Sequence, residues 1–309
     1  MRSAHRTAAA VLTAAPLLLV PAPAAARAGT APTGTPAAGT ATTGTSTTRT
    51  AAAGPSGIGA RSAYLVDDRT GRALWARAAG TRRPIASLTK VMTALVVLRA
   101  GHLDRTITIK RKHIAYARRH GGTTAALRAG DRLTARQLLY GLMLPSGCDA
   151  AYALADAYGP GRRGFVGKMN GTARRLGLTR TRYANFDGLP WPTAHSTSST
   201  ARDQVRLGRA AMRRADFRAV AARRTYRLGA TRGHHAYRWT STNRLLGSYR
   251  GATGVKTGTT RAAGHCLLFA ARRGGRTLVG VVLASSAARE RARFTDATKI
   301  LNWGFRTRR

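Results

Sequence analysis

Residues 84–98, Pro84-Ile-Ala-Ser-Leu-Thr-Lys-Val-Met-Thr-Ala-Leu-Val-Val-Leu98, lack the solvated stripe of a surface helix, since between Val91 and Leu98 only Thr93 is polar. The pattern predicts a helix that runs through the interior of a domain. Ahead of it, residues 61–67 and 72–76 read as two strands joined by the turn Asp68-Arg-Thr-Gly71. Behind it, the mixed segment 106–143 ends in a helix, announced by the capping box Thr134-Ala-Arg-Gln137 and continued by Leu138, Leu139, Leu142 and Met143 at helical spacing. The turn-rich Leu144-Pro-Ser-Gly-Cys-Asp149 separates it from a second apolar helix over 150–158. Residues 160–240 are expected to hold further helices, a loop at 185–190 and a helix start at Ser199-Thr-Ala-Arg-Asp203. Runs at 252–259, 265–270 and 277–283 predict strands, the last two a hairpin across Arg272-Arg-Gly-Gly275, and a final helix is expected from about Ala287 to Trp303. Strands at both ends with helices between them predict an α+β fold, in which one antiparallel sheet built from both chain ends is flanked by helices and accompanied by an all-helical lobe.

The first 26 residues have the form of a secretory signal peptide: basic Arg2, His5 and Arg6, a small-apolar run over 8–20, then Pro21-Ala-Pro-Ala-Ala-Ala26 with cleavage near Arg27. The run is too short to span a bilayer, and the paired arginines of the twin-arginine route are missing. Residues 27–57 are Ala, Thr, Gly, Ser and Pro, a composition that buries too little area to order itself, and are expected to form a flexible tether. The folded domain is then 58–309. Export is expected, to the medium, the wall or the outer face of the membrane.

Charge complicates the picture less than its size suggests. The chain has 53 Lys and Arg against 11 Asp and Glu, a formal net charge of +42. The arginines are spread in pairs along the domain, and no zinc-finger, RNA-binding or basic-zipper signature goes with them, so nucleic acid is not expected as a partner. Anionic cell-wall polymers fit the charge. A compositional bias toward Arg and Ala explains it equally well.

Ser87 and Lys90 stand three residues apart on one helix face. Burial disfavours an ammonium, which would leave Lys90 able to take the proton of the serine hydroxyl. Alone, the pair reads as a capping serine and a lysine that snorkels to water. Its companions change that: Ser146-Gly-Cys148 and Lys256-Thr-Gly258 follow in order. With Leu138-Leu-Tyr-Gly-Leu-Met-Leu144, Asn185-Phe-Asp-Gly-Leu189, Thr242-Asn-Arg-Leu-Leu246 and Ala263-Gly-His-Cys266, the chain from about 58 to 305 resembles the serine-type D-alanyl-D-alanine carboxypeptidases, the low-molecular-weight penicillin-binding proteins that share their fold with serine β-lactamases.

The resemblance implies that Ser87 attacks the penultimate D-alanine of a peptidoglycan stem peptide ending in D-Ala-D-Ala, with Lys90 as base and Ser146 relaying a proton to the leaving amine. Lys256 and Thr257 would bind the substrate carboxylate, Gly258 would leave the strand clear for the peptide, and the N–H groups of Ser87 and Thr259 would form the oxyanion hole. β-Lactams would be covalent inhibitors. No metal or cofactor is called for.

Cys148 departs from the family's usual asparagine, a weak donor and acceptor in place of a substrate-binding amide. Cys148 and Cys266 are expected to be free thiols. The chain's one glutamate, Glu290, lies downstream of Lys256-Thr-Gly258, so the deacylating base of a class A β-lactamase is missing. A serine β-lactamase is therefore disfavoured, and a weakly active, penicillin-binding wall module is the other alternative. His195 and His265 read as structural or lining residues, Arg202 and Asp203 as helix braces. The sequence stops shortly after Trp303-Gly-Phe305, where anchored relatives continue, so release or electrostatic retention at the wall is expected.

Overall fold

The computed structural model describes residues 54–307; the expected signal peptide and most of the expected tether lie outside the described residues. In chain order the elements are β1 (Ser62–Asp67), β2 (Ala73–Arg77), the short β3 (Arg83–Pro84), a 3-10 turn (Ala86–Leu88), α1 (Thr89–Ala100), β4 (Thr106–Thr108), α2 (Arg111–Arg119) and β5 (Arg132–Thr134). Then follow α3 (Ala135–Met143), α4 (Cys148–Tyr158), α5 (Gly161–Arg175), β6 (Ser198–Ser199), α6 (Ala201–Met212), α7 (Ala215–Ala221), β7 (Thr225–Leu228) and β8 (Tyr237–Thr240). The chain closes with α8 (Leu245–Ser248), β9 (Ala252–Thr260), β10 (Gly264–Arg273), β11 (Arg276–Leu283) and α9 (Ala292–Arg306).

The main sheet has the order β2-β1-β11-β10-β9 and is antiparallel throughout, so the two ends of the chain do meet in one sheet, with Ala63 opposite Val282. Residues 278–283 read as a continuous apolar run because both faces of β11 are covered. Leu278 and Val282, with Leu65 and Phe269, pack on Phe294, Ala297, Ile300 and Leu301 of α9. Val279, Val281 and Leu283 face the other way, into the core shared with α1 and α6. Gly280 is the one break in the run: a Cβ there would lie 2.5 Å from the Phe269 ring.

Helix α1 is buried from Thr89 to Leu98 because α3, α4, α5, α6 and α7 all pack around it. That is the physical meaning of its missing polar stripe. The capping box forms as expected, Gln137 N–H donating to Thr134 Oγ1 at 3.1 Å and Thr134 N–H to Gln137 Oε1 at 2.8 Å. Such a cap stabilises a helix start by about 1 kcal/mol, and here it fixes where α3 begins and so where it delivers Ser146.

Two expectations differ from the structure. Residues 225–240, expected among helices, form the β7–β8 hairpin. Its aromatic side chains alternate, and Tyr140 of α3 stacks on Tyr226 with ring centroids 3.9 Å apart while Tyr226 and Tyr237 stack on Trp239. The final helix begins at Ala292 instead of Ala287, because Ser286 Oγ accepts from the N–H groups of Ala288 and Arg289 and holds that segment in a turn.

Candidate active site

Ser87 sits in the 3-10 turn that feeds α1, half-buried, one residue after Ala86 at φ +46°. A left-handed alanine costs free energy and persists only where its surroundings hold it. Ser87 makes no capping bond, and Lys90 does not snorkel. Lys90 is fully buried, and its Nζ lies 2.9 Å from Ser87 Oγ, 3.0 Å from the Asp187 carbonyl oxygen and 3.4 Å from Cys148 Sγ. The serine hydroxyl is therefore the reachable end of a buried amine's hydrogen-bond set.

The loop 185–189 supplies the wall behind that amine. Asn185 ties it: its Nδ2 donates to the carbonyls of Leu189 and Trp191, while its Oδ1 accepts from Gly188 N–H at 2.7 Å. Gly188, at φ +82°, then lies so close to the Ser87 turn that a Cβ would fall 1.9 Å from the Ala86 carbonyl oxygen. Gly188→Ala is expected to lower stability by about 3 kcal/mol or more, about 6–12 °C in Tm. Gly167→Ala, on α5 with nothing within 4 Å of its would-be Cβ, should leave Tm level or raise it. Calorimetric melting of both variants checks the pair; equal Tm values would mean the loop does not press on the turn.

Ser146 occupies the joint between α3 and α4 at φ +66°. Its carbonyl accepts from Thr123 Oγ1 at 2.6 Å, but its own Oγ is buried with no hydrogen-bond partner. The structure thus places Ser146 at the expected joint without a hydrogen bond to Ser87 or Lys90. Cys148 opens α4, and burial pushes its thiol up to about 12 although Lys90 opposes this, so it stands as a neutral thiol. Gly122 must be small here, since a Cβ would lie 2.8 Å from Cys148 Sγ. Both cysteines are buried and free.

On the facing side, β9 is an edge strand of the main sheet and carries Lys256. Lys256 is buried and donates to the Thr257 carbonyl at 3.1 Å; burial, reinforced by the like charges of Lys90 and Arg293, holds it well below the usual lysine range. Thr257 Oγ1 lies 2.6 Å from Thr242 Oγ1. Gly258 answers to the protein before any substrate: a Cβ would lie 2.9 Å from the Ile85 carbonyl oxygen and 3.0 Å from Ser87 N. Only glycine lets β9 lie against the Ser87 turn, which sets the strand carrying Thr259 beside the Ser87 N–H.

Sequence reasoning missed Arg293. From α9 it reaches under the end of β9, buried, with Nη1 donating to Thr259 Oγ1 at 2.8 Å and to the Gly258 carbonyl at 3.3 Å, while Glu290 pairs with Nη2. In a chain with 53 basic residues, no sequence signal separates this arginine from the others. Asp187 and Asp149 were also missed as positioning groups. Asp149 accepts from the N–H groups of Ala125 and Leu127 and from Thr124 Oγ1, pinning the segment that backs Cys148. Of the remaining residues, His265 Nδ1 lies 3.1 Å from Thr259 Oγ1, and His195 is exposed. Asp203 accepts from Arg180 N–H and Thr181 Oγ1, and the Arg202 guanidinium lies 5.7 Å from the Tyr64 ring centroid, as bracing residues would.

A half-exposed serine on a buried amine, facing a strand edge with Lys256 and Arg293 behind it, is an arrangement suited to acyl transfer. Comparison with known proteins agrees. A family model described as D-alanyl-D-alanine carboxypeptidase matches residues 47–287. The D-alanyl-D-alanine carboxypeptidase of Streptomyces sp. (strain K15) is 45% identical over 260 residues, covering 80% of this chain and 88% of that protein. The crystal structure of the Streptomyces K15 DD-transpeptidase superposes with a TM-score of 0.77 at 44% identity, covering 81% of this chain and 98% of the other. DacC of Escherichia coli (strain K12), also called a D-alanyl-D-alanine carboxypeptidase, is 34% identical, and the match spans 81% of this chain but 62% of DacC.

Proposed function

The chain belongs to the D-alanyl-D-alanine carboxypeptidase family of serine peptidases, and from that premise we propose that it is an exported enzyme that forms an acyl-enzyme on Ser87 and is acylated there by β-lactams. Ser87 Oγ attacks the carbonyl of the penultimate D-alanine of a peptidoglycan stem peptide, and Lys90 Nζ takes its proton. The C–N bond to the terminal D-alanine breaks, the leaving amine is protonated, and D-alanine departs. Water or an amine then attacks the ester carbonyl and frees Ser87. What supports this most is the 2.9 Å contact between Lys90 Nζ and Ser87 Oγ inside an otherwise buried hydrogen-bond set. Intact mass after benzylpenicillin, with D-alanine release from a peptide ending in D-Ala-D-Ala, tests it. A stable adduct and released D-alanine are expected; the absence of both would sink the reading.

The glutamate that a class A β-lactamase uses for deacylation has no counterpart before β9, and Glu290 is held by Arg293 and, at 4.0 Å, by Arg244. The penicillin adduct should accordingly be long-lived.

Arg293 is the positioning group beneath the carboxylate end of the site. Arg293→Leu is expected to raise KM for the dipeptide terminus about tenfold, with a smaller change in kcat, and Arg293→Lys to recover part of it. A steady-state comparison that finds KM unchanged would remove Arg293 from substrate binding.

A further inference from the structure

Between α5 and the chain at 182–192 lies a cavity of about 640 Å³, whose lining includes Arg162, Arg163, Arg182, Tyr116, Phe186 and Trp191. None of Ser87, Lys90, Ser146, Lys256 or Thr257 lines it. Three properties set it apart from the general positive charge of the chain. The side chains of Arg162, Arg163 and Arg182 are exposed, and none has a carboxylate partner among the described residues. Arg162 and Arg163 stand in the first turn of α5, where the helix dipole disfavours positive charge. Trp191, 41% exposed, is the exposed large hydrophobic side chain among the described residues, and the Arg162 guanidinium sits 5.8 Å from its ring centroid and 5.7 Å from that of Tyr152.

Like charges gathered without counter-charge at the wrong end of a helix cost free energy that a bound oxyanion would relieve. The nearby Asp156 does not supply it, being taken up by Lys112 and His113. An exposed indole beside such a cluster offers a flat apolar face with a polar edge, suited to the C–H face of a sugar or polyol whose charged group reaches the guanidiniums. We propose that this cavity binds an anionic saccharide or polyol unit of a cell-envelope polymer, its ring or chain against Trp191 and its phosphate or carboxylate on Arg162, Arg163 and Arg182. A nucleic-acid strand suits it less well, because one exposed ring is no platform on which successive bases stack. Export, proposed above, is needed only to say where the ligand is met; binding itself does not depend on turnover at Ser87.

The test is binding to the full chain carrying Ser87→Ala, so that no probe is consumed, at about 0.15 M salt, where long-range attraction is screened. One probe is a glycerol-phosphate decamer, the second a glucuronate-bearing hexasaccharide, the third a deoxythymidine decamer, each followed by calorimetry and tryptophan fluorescence. The double variant Arg162→Ala with Arg182→Ala is compared with Arg213→Ala with Arg214→Ala, an exposed pair elsewhere with the same change in charge. Expected is a loss of about tenfold or more for the cavity variant and about twofold or less for the control, with the fluorescence response gone in Trp191→Phe. The better of the first two probes tells phosphate from carboxylate. Equal losses in both variants, tightest binding of the deoxythymidine probe, or no saturable binding of either saccharide or polyol probe would each overturn the proposal. Because the readout is binding, an inactive enzyme with a functional cavity, or the reverse, remains distinguishable.

Discussion

Ser87→Ala is expected to abolish D-alanine release and the benzylpenicillin adduct together, a loss of about 10⁴-fold or more in kcat/KM. The size follows from chemistry with no substitute nucleophile: Ser146 Oγ is buried without a partner, and Cys148 is a neutral thiol behind Lys90. Folding should survive. The Ser87 side chain is half-buried, caps no helix, and accepts one hydrogen bond, from Lys90. An unchanged Tm beside complete loss of the adduct is the result that assigns the nucleophile. An adduct that persists, or moves to another residue on peptide mapping, would reassign it.

Lys90→Met is the second large effect, about 10³-fold in kcat/KM, with Tm within a few degrees of wild type. Methionine fills a similar volume and needs no hydrogen bonds. The variant forfeits the contacts to Ser87 Oγ, Cys148 Sγ and the Asp187 carbonyl. Against that stands the cost of keeping an amine in a fully buried site near Lys256, which the apolar side chain removes. Adding Ser87→Ala to Lys90→Met should cost little more than Ser87→Ala alone, because the two act as one unit. If Lys90→Met keeps a tenth of wild-type activity, another group is the base. If it melts far below wild type, Lys90 is a structural anchor first.

Several features were legible in the linear order of residues. The interior helix declared itself through eight positions, Val91 to Leu98, with one polar side chain, because a helix surrounded on every side has no face to give to water. The capping box at Thr134 and Gln137 is a contact between near neighbours, so its three-residue spacing suffices. The β7–β8 hairpin was missed since its alternation is short and interrupted by Gly229 and Gly233, while what makes it a sheet is a stack with Tyr140, far away in sequence.

By itself the sequence determined the α+β plan, the sheet drawn from both chain ends and the order of Ser87, Lys90, Ser146 and Lys256, because these rest on local periodicity and on motifs a few residues long. Only the tertiary structure decided that Asp187 backs the Lys90 amine, that Gly188 and Gly258 are glycines because two separate segments press on the Ser87 turn, and which of the many arginines lies under Thr259. Each of these is a contact between segments about a hundred residues or more apart, or a choice among chemically identical side chains. Close packing settles both, and no spacing along the chain encodes either.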